Sequence, residues 1–162
     1  MICPLVTFDQ ISRGEANKLL IQWQNKMGAC ERGNMAGLTY ALFENGQPLA
    51  LAMSATLIAP NVGGGQSHLT RDNCIELARL CAARPGLCRV ALRLWREFVF
   101  PRLGYRYAMS YQDSDLHNGN TYRFDGWTRL AHIRGTPDLR SGRPARNKYV
   151  WVWELPAPSQ AE

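Results

Sequence analysis

One stretch of the chain, residues 74–127, constrains the fold more than any other. It contains a strand-like apolar run (CIELARLCA), a break at residues 84–86, an amphipathic run with helical spacing (LCRVALRLWREFVF) and a second strand-like run (YRYAMSY). A strand, a helix and another strand in this order predict the βαβ unit of a parallel or mixed sheet. The loop between the first strand and the helix is a common place for such a unit to bind phosphate.

The N-terminal part adds a helix to this unit. Ser12 and Glu15 have the spacing of a capping box, in which each side chain bonds the backbone of the other residue, so they mark a helix start. Apolar residues recur at helical spacing after them, and we expect the helix to end near Gly28.

Two apolar runs at 38–43 and 49–53 flank an Asn-Gly pair at 45–46, which is a strong hairpin signal. The predicted element order for the whole chain is β-α-β-β-β-α-β-α-β-β. We therefore predict an α+β fold with a mixed central β-sheet and helices on both of its faces. One domain is expected over residues 1–155, followed by a C-terminal tail over residues 156–162.

The net charge of the chain comes from its second half. Residues 1–83 contain six basic and six acidic side chains, whereas residues 84–162 contain 13 basic and seven acidic ones, which supplies the full net charge of +6. Most of the basic residues are arginine, whose planar guanidinium can bind a phosphate through two hydrogen bonds. This distribution indicates a polyanionic partner or a phosphorylated cofactor, and a solvated basic surface is the alternative.

Cysteine usage and hydropathy exclude several classes of protein. The chain has five cysteines and no Cys-x-x-Cys motif, so a secreted disulfide framework is not expected. Cys74, Cys81 and Cys88 are spaced by seven and are interpreted as small buried residues. No apolar run approaches the roughly 20 residues of a membrane helix. Since no signal peptide is recognisable either, we expect a cytoplasmic protein with no membrane partner.

Two motifs in the second half of the chain resemble a known family. Residues 122–127 (YRFDGW) match the tyrosine, three residues, glycine, aromatic signature of the GNAT acetyltransferase superfamily, and the predicted element order is similar to that fold. Within the superfamily, the strings ELARL at 76–80 and HNGNTY at 117–122 resemble the Mom-type DNA-modification proteins of phages and prophages. The resemblance covers about residues 38–155 and is concentrated in these motifs.

The resemblance implies an enzyme that modifies amines in a bacterial host cell. A Mom-type protein would add a carbamoylmethyl-type group to the exocyclic amine of adenine in double-stranded DNA, which protects phage DNA from restriction. The broader alternative is an N-acetyltransferase that uses acetyl-CoA to acylate an amine of a small molecule or a protein. A third hypothesis is a GNAT-shaped module that binds DNA or protein without turnover.

The resemblance also implies where acetyl-CoA binds. In GNAT proteins the strand matching 74–82 parts from its neighbour and offers free backbone groups to the pantetheine arm, and the next helix start binds the pyrophosphate. The glycine spacing departs from the superfamily pattern, since Gly86 comes one place early and Cys88 stands where a second small residue is expected. The implied cofactor-binding residues are Leu80, Cys81, Ala82, Arg84, Gly86, Leu87, Cys88 and Arg89.

Tyr122 is the first candidate for a catalytic role. In GNAT enzymes the matching tyrosine lies near the thioester sulfur and can protonate the leaving thiolate. A phenol with an ordinary pKa of about 10 suits that proton transfer. The alternative is a core tyrosine that packs on the sheet.

Glu76 and Arg79 are charged residues on an otherwise apolar strand, where a charge is costly unless it is paired. Their spacing of three predicts opposite faces of the strand, with one of them in the cleft. Glu76 is a candidate base toward an amine, directly or through water, and Arg79 is a candidate for positioning an anionic group. The alternative is that both belong to structural ion pairs.

His117 follows the predicted strand at 105–111, at the edge where ligands bind in sheets of this kind. It is a candidate catalytic base or substrate contact. Asp115 instead suits the cap of the next helix. A metal site formed by Asp113, Asp115 and His117 is an alternative that we do not adopt, and no bound metal is predicted.

A basic segment at 129–148 is the candidate nucleic-acid contact. It lies near Trp127, Tyr149 and Trp151, and this mixture of charge and aromatic surface suits phosphates and stacked bases. An enzyme that acts on a base within duplex DNA must first extrude that base. The alternative is a basic hairpin loop with core tryptophans. The candidate residues are Arg134, Arg140, Arg143, Arg146 and Lys148.

Overall fold

The fold is a single mixed sheet with helices packed on it. A computed structural model of the chain describes residues 3–32, 38–137, 139–140, 142 and 144–157. The elements in these ranges are β1 Val6–Ile11, α1 Arg13–Gln22, β2 Thr39–Glu44, β3 Gln47–Thr56, β4 Cys74–Ala82, α2 Leu87–Leu94, β5 Tyr107–Asp113, α3 Asn120–Phe124, β6 Thr128–Ile133 and β7 Lys148–Glu154. A π-helical turn (Trp95–Val99) and a 3₁₀ turn (Phe100–Arg102) extend α2. The predicted element order is confirmed.

The sheet has seven strands in the order β1-β2-β3-β4-β5-β7-β6. Only β4 and β5 are parallel neighbours, and the other neighbouring pairs of the described sheet are antiparallel. The β2–β3 hairpin turns through Asn45 and Gly46, whose φ values of 50° and 79° suit the predicted Asn-Gly turn. The α+β class with a mixed sheet is therefore confirmed.

Helices cover both faces of the sheet, as predicted. On one face, called the α1 face from here on, Leu20 of α1 packs with Leu51 and Met53 of β3. On the opposite face, called the α2 face, Leu92 of α2 packs with Ile75 of β4. Side chains alternate between faces along a strand, and β4 contributes to both layers, with Ile75 on the α2 face and Cys81 on the α1 face.

The first helix is shorter than predicted. Its capping box forms as expected, since the Ser12 hydroxyl accepts from the Glu15 backbone N–H and the Glu15 carboxylate accepts from the Ser12 backbone N–H. The helix ends at Gln22 rather than near Gly28 because Gln24 adopts a left-handed φ of 54° and turns the chain away. Residues 23–32 then run along the α1 face.

The structure is consistent with the interpretation of two of the three regularly spaced cysteines. Cys74 and Cys81 are buried thiols, whereas Cys88 is half-buried at the start of α2. Burial raises the pKa of Cys74 to about 12 and that of Cys88 to about 11. In the ranges described above, no helix has the length and apolar character needed to cross a membrane.

Candidate active site

A gap opens between β4 and β5, the two parallel strands at the centre of the sheet. Their pairing is limited to three registers: Cys74 with Tyr107, Ile75 with Ala108, and Glu76 with Met109. Past these registers β4 continues along β3, and β5 continues along β7. Residues 77–82 and 110–113 therefore border what we call the strand gap, where β4 has one edge without a neighbouring strand.

Tyr122 reaches the inner end of the strand gap from the α2 face. Its side chain is buried, with 8% of the residue exposed. Its hydroxyl lies 2.8 Å from the Ser110 hydroxyl, and the Ser110 hydroxyl donates to the Leu77 carbonyl across the gap at 3.0 Å. Burial raises the pKa of Tyr122 to about 12, and the hydrogen bond with Ser110 opposes that rise. The phenol therefore keeps its proton throughout the neutral pH range.

Aromatic packing holds the Tyr122 ring in place. The ring stacks on Trp151 with centroids 5.7 Å apart and meets the edge of Trp127 at 5.6 Å. Trp151 in turn donates from Nε1 to the Gln112 side-chain oxygen at 2.8 Å. Both tryptophans belong to the core, so the position of the phenol is set by rigid neighbours.

The glycine of the His-x-Gly-x-x-Tyr string has a packing reason. Gly119 caps α3 with a left-handed φ of +76°, and a Cβ there would come within 2.6 Å of Gln112 and Trp151 atoms. A larger residue would have to displace the ring that supports Tyr122.

A buried ion pair fixes α3 to the helical segment that follows α2. The Arg96 guanidinium donates to both carboxylate oxygens of Asp125, at 2.7 and 3.2 Å, and lies 4.1 Å from the Trp153 ring centroid. The same carboxylate accepts from Trp127 Nε1 at 2.9 Å. Asp125 therefore links α3, the extension of α2 and one of the rings that contact Tyr122.

The predicted cofactor residues border the outer part of the strand gap. Leu80, Cys81 and Ala82 form the end of β4, where they pair with β3 on one side only. Gly86 caps α2 with a left-handed φ of 87°, and a Cβ placed on it would have no other atom within 4 Å. The first N–H groups of α2, at Leu87 and the two residues after it, have no intrahelical acceptor. A strand edge and an open helix start thus lie in succession, which fits a carrier with a peptide-like arm and a pyrophosphate.

Two arginines of this region have other contacts. Arg84 is exposed and lies 3.8 Å from the Glu44 carboxylate, which competes with any phosphate. Arg89 lies 5.3 Å from the centroid of the exposed Phe124 ring, and Arg123 lies 5.1 Å from the same ring. Sequence reasoning missed Arg123 and Phe124, although both lie within the quoted motif.

The opposite side of the strand gap, on the α1 face, is charged. Glu76 stands at the last paired register, and its two carboxylate oxygens accept from the Arg32 guanidinium at 2.7 and 2.9 Å. Burial opposes the charge of Arg32, but the bonds and charge of Glu76 outweigh it and raise the pKa of Arg32. Burial, with the Glu76 charge adding to it, also raises the pKa of Tyr111, on the same face. Arg32 was not among the predicted site residues.

The prediction that Glu76 and Arg79 point to opposite faces is wrong. A β-bulge interrupts the β3–β4 register, because Met53 pairs with Arg79 whereas the next residue, Ser54, pairs with Leu77. The bulge therefore adds one residue to β4 between these pairs, and Arg79 points to the same face as Glu76. Arg79 donates to the carbonyls of residues 28 and 29 on the α1 face, at 3.2 and 3.4 Å. These bonds support the loop that contains Arg32, and both of their acceptors are neutral carbonyl groups.

His117 is not brought next to Tyr122. It is exposed beyond the end of β5, where its backbone N–H donates to the Asp113 carbonyl at 3.1 Å and its carbonyl accepts from the Gln112 amide. Its catalytic role stays a prediction. Among the described residues, no group of three or more His, Cys, Asp and Glu side chains is arranged to hold a metal ion.

The basic segment lies at the β6–β7 end of the sheet, and part of the prediction about it is wrong. Trp127 and Trp151 are core residues, 4% exposed each, and offer no stacking surface. Tyr149 is half-buried, with Arg129 at 4.5 Å and His132 at 4.6 Å from its ring. Arg134 and Arg140 are exposed, Arg146 and Lys148 are half-buried, and Arg143 lies outside the described residues.

Comparisons with known proteins identify the fold. Models of protein families and curated protein sequences gave no match. Among solved structures, the ribosomal-protein-S18-alanine N-acetyltransferase of Escherichia coli matches with a TM-score of 0.67 at 14% identity, over 98% of this chain and 99% of that one. An aminoglycoside acetyltransferase in complex with coenzyme A matches with a TM-score of 0.62 at 16% identity, over 93% of this chain and 95% of that one. A Campylobacter jejuni N-acetyltransferase matches with a TM-score of 0.56 at 12% identity, over 94% of this chain and 100% of that one.

The chain therefore has the fold of the GNAT-family acetyltransferases. The superfamily-level resemblance predicted from residues 122–127 is confirmed for the fold. Nothing in the comparisons supports the narrower resemblance to Mom-type DNA-modification proteins. Identities of this size establish a shared architecture and do not identify the molecule that accepts the acyl group.

Proposed function

We propose that this chain is an N-acyltransferase that moves an acetyl group from acetyl-CoA to an amine. The strand gap carries this proposal, because it presents an unpaired edge of β4 between a buried phenol and an open helix start. A pantetheine arm contains amide groups that can bond to such an edge as a further strand would. The shared fold with acetyltransferases, one of them solved with coenzyme A, supports the same choice of cofactor.

The residues around the strand gap fit acetyl-CoA. Bound there, the cofactor would supply an acetyl group activated as a thioester and a thiol as leaving group. Residues 80–82 offer backbone groups to the pantetheine arm, and the open space over Gly86 leaves the first N–H groups of α2 accessible to a pyrophosphate. Arg84 and Arg89 add positive charge beside that helix start.

Tyr122 is the proposed general acid. Its hydroxyl lies at the inner end of the strand gap and stays protonated at neutral pH, because burial raises its pKa to about 12. It therefore has a proton to give to the departing sulfur as the C–S bond breaks.

Glu76 is the proposed base on the opposite face. The Arg32 guanidinium occupies one lone pair of each carboxylate oxygen. The remaining lone pairs can take the proton that the acceptor amine loses, directly or through a water molecule. The two proton transfers would then approach the strand gap from opposite faces of the sheet.

Binding and turnover together test this proposal. Acetyl-CoA at about a hundredfold excess over its Kd should raise the Tm by roughly 5 °C or more. Adenosine 3′,5′-bisphosphate, which lacks the pantetheine arm, is the matched control and should raise it less. Thiol release from acetyl-CoA should then depend on an added amine, measured over a panel of small amines, peptides and nucleosides. Absence of both the Tm shift and the amine-dependent thiol release would contradict the proposal.

The narrower hypothesis concerns the acceptor, namely the exocyclic amine of adenine in double-stranded DNA. Support comes from the net charge of +6 in the second half of the chain and from Arg129 and His132 packed on Tyr149 beside the basic segment. Nucleoside mass spectrometry of DNA from cells that express the chain tests it directly. A new adenosine adduct that is lost in the Tyr122→Phe variant is expected.

Two outcomes separate the alternatives. Unmodified DNA together with acetylated small amines or peptides would favour the general N-acetyltransferase. Binding of DNA or protein without thiol release would favour the non-catalytic module. If the basic segment contacts DNA phosphates, the Arg134→Ala, Arg146→Ala double variant should show a weaker dependence of DNA affinity on salt concentration.

A further inference from the structure

We propose that Ser110 is a positioning residue that holds the Tyr122 hydroxyl at the strand gap and stabilises it after proton transfer. The proposal rests on the proposed acid role of Tyr122 and names a residue through which that role is exerted. Ser110 lies on β5 with 2% of its surface exposed, on the same face as Tyr122.

The direction of the hydrogen bonds follows from counting protons. A serine hydroxyl has one proton to donate, and Ser110 gives it to the Leu77 carbonyl, which can only accept. The Tyr122 hydroxyl must therefore be the donor in its 2.8 Å contact with Ser110. A chain of two bonds runs from the phenol through the serine to the backbone of β4.

This chain lies where the strand gap begins. The last paired register is Glu76 with Met109, and the next residue on each strand is Leu77 and Ser110. The Ser110–Leu77 bond is thus a side-chain bridge in the place of the next backbone pairing. Ser110 therefore links the phenol to both strands that border the gap.

The serine can also respond to the chemistry. To act as the acid, the Tyr122 O–H turns from Ser110 to the departing sulfur. Its O–H bond then breaks, an S–H bond forms, and the electron pair stays on the phenolate oxygen. The Ser110 hydroxyl can then turn from the Leu77 carbonyl to donate to that oxygen, and bonds to a charged oxygen are about twice as strong as neutral ones. Tyr122 afterwards recovers a proton from solvent.

Ser54 offers a matched control for the purely structural alternative. It is also a fully buried serine of the central sheet, and its hydroxyl also donates to a backbone carbonyl at 3.0 Å, that of Leu38. It pairs with β4 from β3 and has no contact with Tyr122 in the hydrogen bonds described. Loss of a buried serine hydroxyl as such should affect both positions alike, whereas positioning of the phenol should depend on Ser110 alone.

The first test uses the protein without any ligand. Tyrosine labelled with ¹³C at Cζ reports the hydrogen bond of each phenol by NMR, and the Tyr122 signal is the one lost in the Tyr122→Phe variant. Ser110→Ala should shift this signal, Ser110→Cys should shift it less, and Ser54→Ala should leave it in place. An unmoved signal in both Ser110 variants would overturn the proposal, and the cysteine variant provides this result should the alanine variant fold poorly.

The second test is a double-mutant cycle on acetyl transfer. Ser110→Ala should lower kcat by roughly tenfold or more with little change in KM for acetyl-CoA, and Ser54→Ala should leave both unchanged. In the Tyr122→Phe background the same Ser110 substitution should have no further effect on kcat. An equal loss in both backgrounds would mean that Ser110 acts on stability or binding and not through the phenol.

The outcomes distinguish this proposal from the function on which it rests. An unchanged kcat in Tyr122→Phe alone would remove the acid role itself and with it the need for positioning. A strongly reduced kcat in Tyr122→Phe together with normal activity in Ser110→Ala would overturn only the role of Ser110.

Discussion

The two faces of the sheet at the strand gap are built in different ways. On the α2 face, Tyr122 is held by a neutral hydrogen bond to Ser110 and by the rings of Trp127 and Trp151. On the α1 face, Glu76 stands at the last paired register before the gap and is held by the charge of Arg32. One side is buried and aromatic, and the other is ionic.

The two sides also differ in how far apart their parts lie along the chain. Residues 110–127 supply the serine, the phenol and one of its rings, whereas Arg32 reaches Glu76 from 44 residues away. The α2 face is a compact unit that suits the step common to acyl transfer, release of the thiol. The α1 face depends on a loop, and loops vary more than the elements they connect, so we infer that it selects the acceptor.

The strongest challenge to this division is Tyr122→Phe. The substitution removes the only proton that the phenol can donate and leaves the ring packing intact, so kcat should fall about 10²- to 10⁴-fold with little change in Tm. Tyr149→Phe, which removes a half-buried phenol of the same sheet, is the control and should retain activity. Comparable activity in the two variants would mean that the thiol leaves without help from the α2 face.

Much of the α2 face could be predicted from the sequence because its determinants are local. The Tyr-x-x-x-Gly-aromatic string places Tyr122 and Trp127 on one short helix and its exit, and the βαβ pattern predicts two parallel strands beside them. Ser110 was overlooked, although it stands between apolar residues on a buried strand, where a lone hydroxyl requires a partner.

The α1 face could not be predicted because its determinants are not local. The β-bulge in β4 beside Met53 turns Arg79 to the face opposite the one predicted. The spacing of residues along β4 cannot reveal such a bulge, because it depends on how β4 pairs with β3. Arg32 lies in a polar loop with no periodicity, so its partner could be any carboxylate of the fold. The sequence also left open whether Trp127 and Trp151 lie on the surface or in the core, where the structure places them, because a tryptophan beside arginines gives the same pattern in both cases.

The rigidity of the α2 face can be tested through Asp125→Ala. This change removes the buried partner of the Arg96 guanidinium, whose side chain is 9% exposed against 2% for Asp125, and leaves it only the more exposed Glu97 carboxylate. It also removes the acceptor of Trp127. Breaking such a buried pair should lower the free energy of unfolding by about 3–5 kcal/mol, measured by urea denaturation. The exposed Arg106–Glu154 pair is the control, and Arg106→Ala should be close to wild type. Similar midpoints for both variants would contradict a rigid α2 face.

The selective role of the α1 face can be tested through Glu76→Gln. The change keeps the shape of the side chain and removes the negative charge, so kcat/KM for the amine should fall roughly 10²-fold while the Kd of acetyl-CoA stays the same. Glu97→Gln, which also alters a carboxylate bonded to arginine but lies on the extension of α2, is the control. A weakened acetyl-CoA affinity in Glu76→Gln would show that the two faces do not divide donor from acceptor.

The smallest effect is expected at the outer end of the gap, where both faces give way to solvent. Arg84 is 58% exposed at its side chain and 3.8 Å from Glu44, so its attraction to a pyrophosphate is screened by water and shared with that carboxylate. Arg84→Ala should weaken acetyl-CoA binding only about two- to fivefold, and Glu44→Ala should strengthen it by a similar factor at low salt. Calorimetric titration at two ionic strengths measures both. A loss far larger than this in Arg84→Ala would mean that the helix start of α2 contributes less than the arginine, and that phosphate recognition here depends on side chains more than on backbone N–H groups.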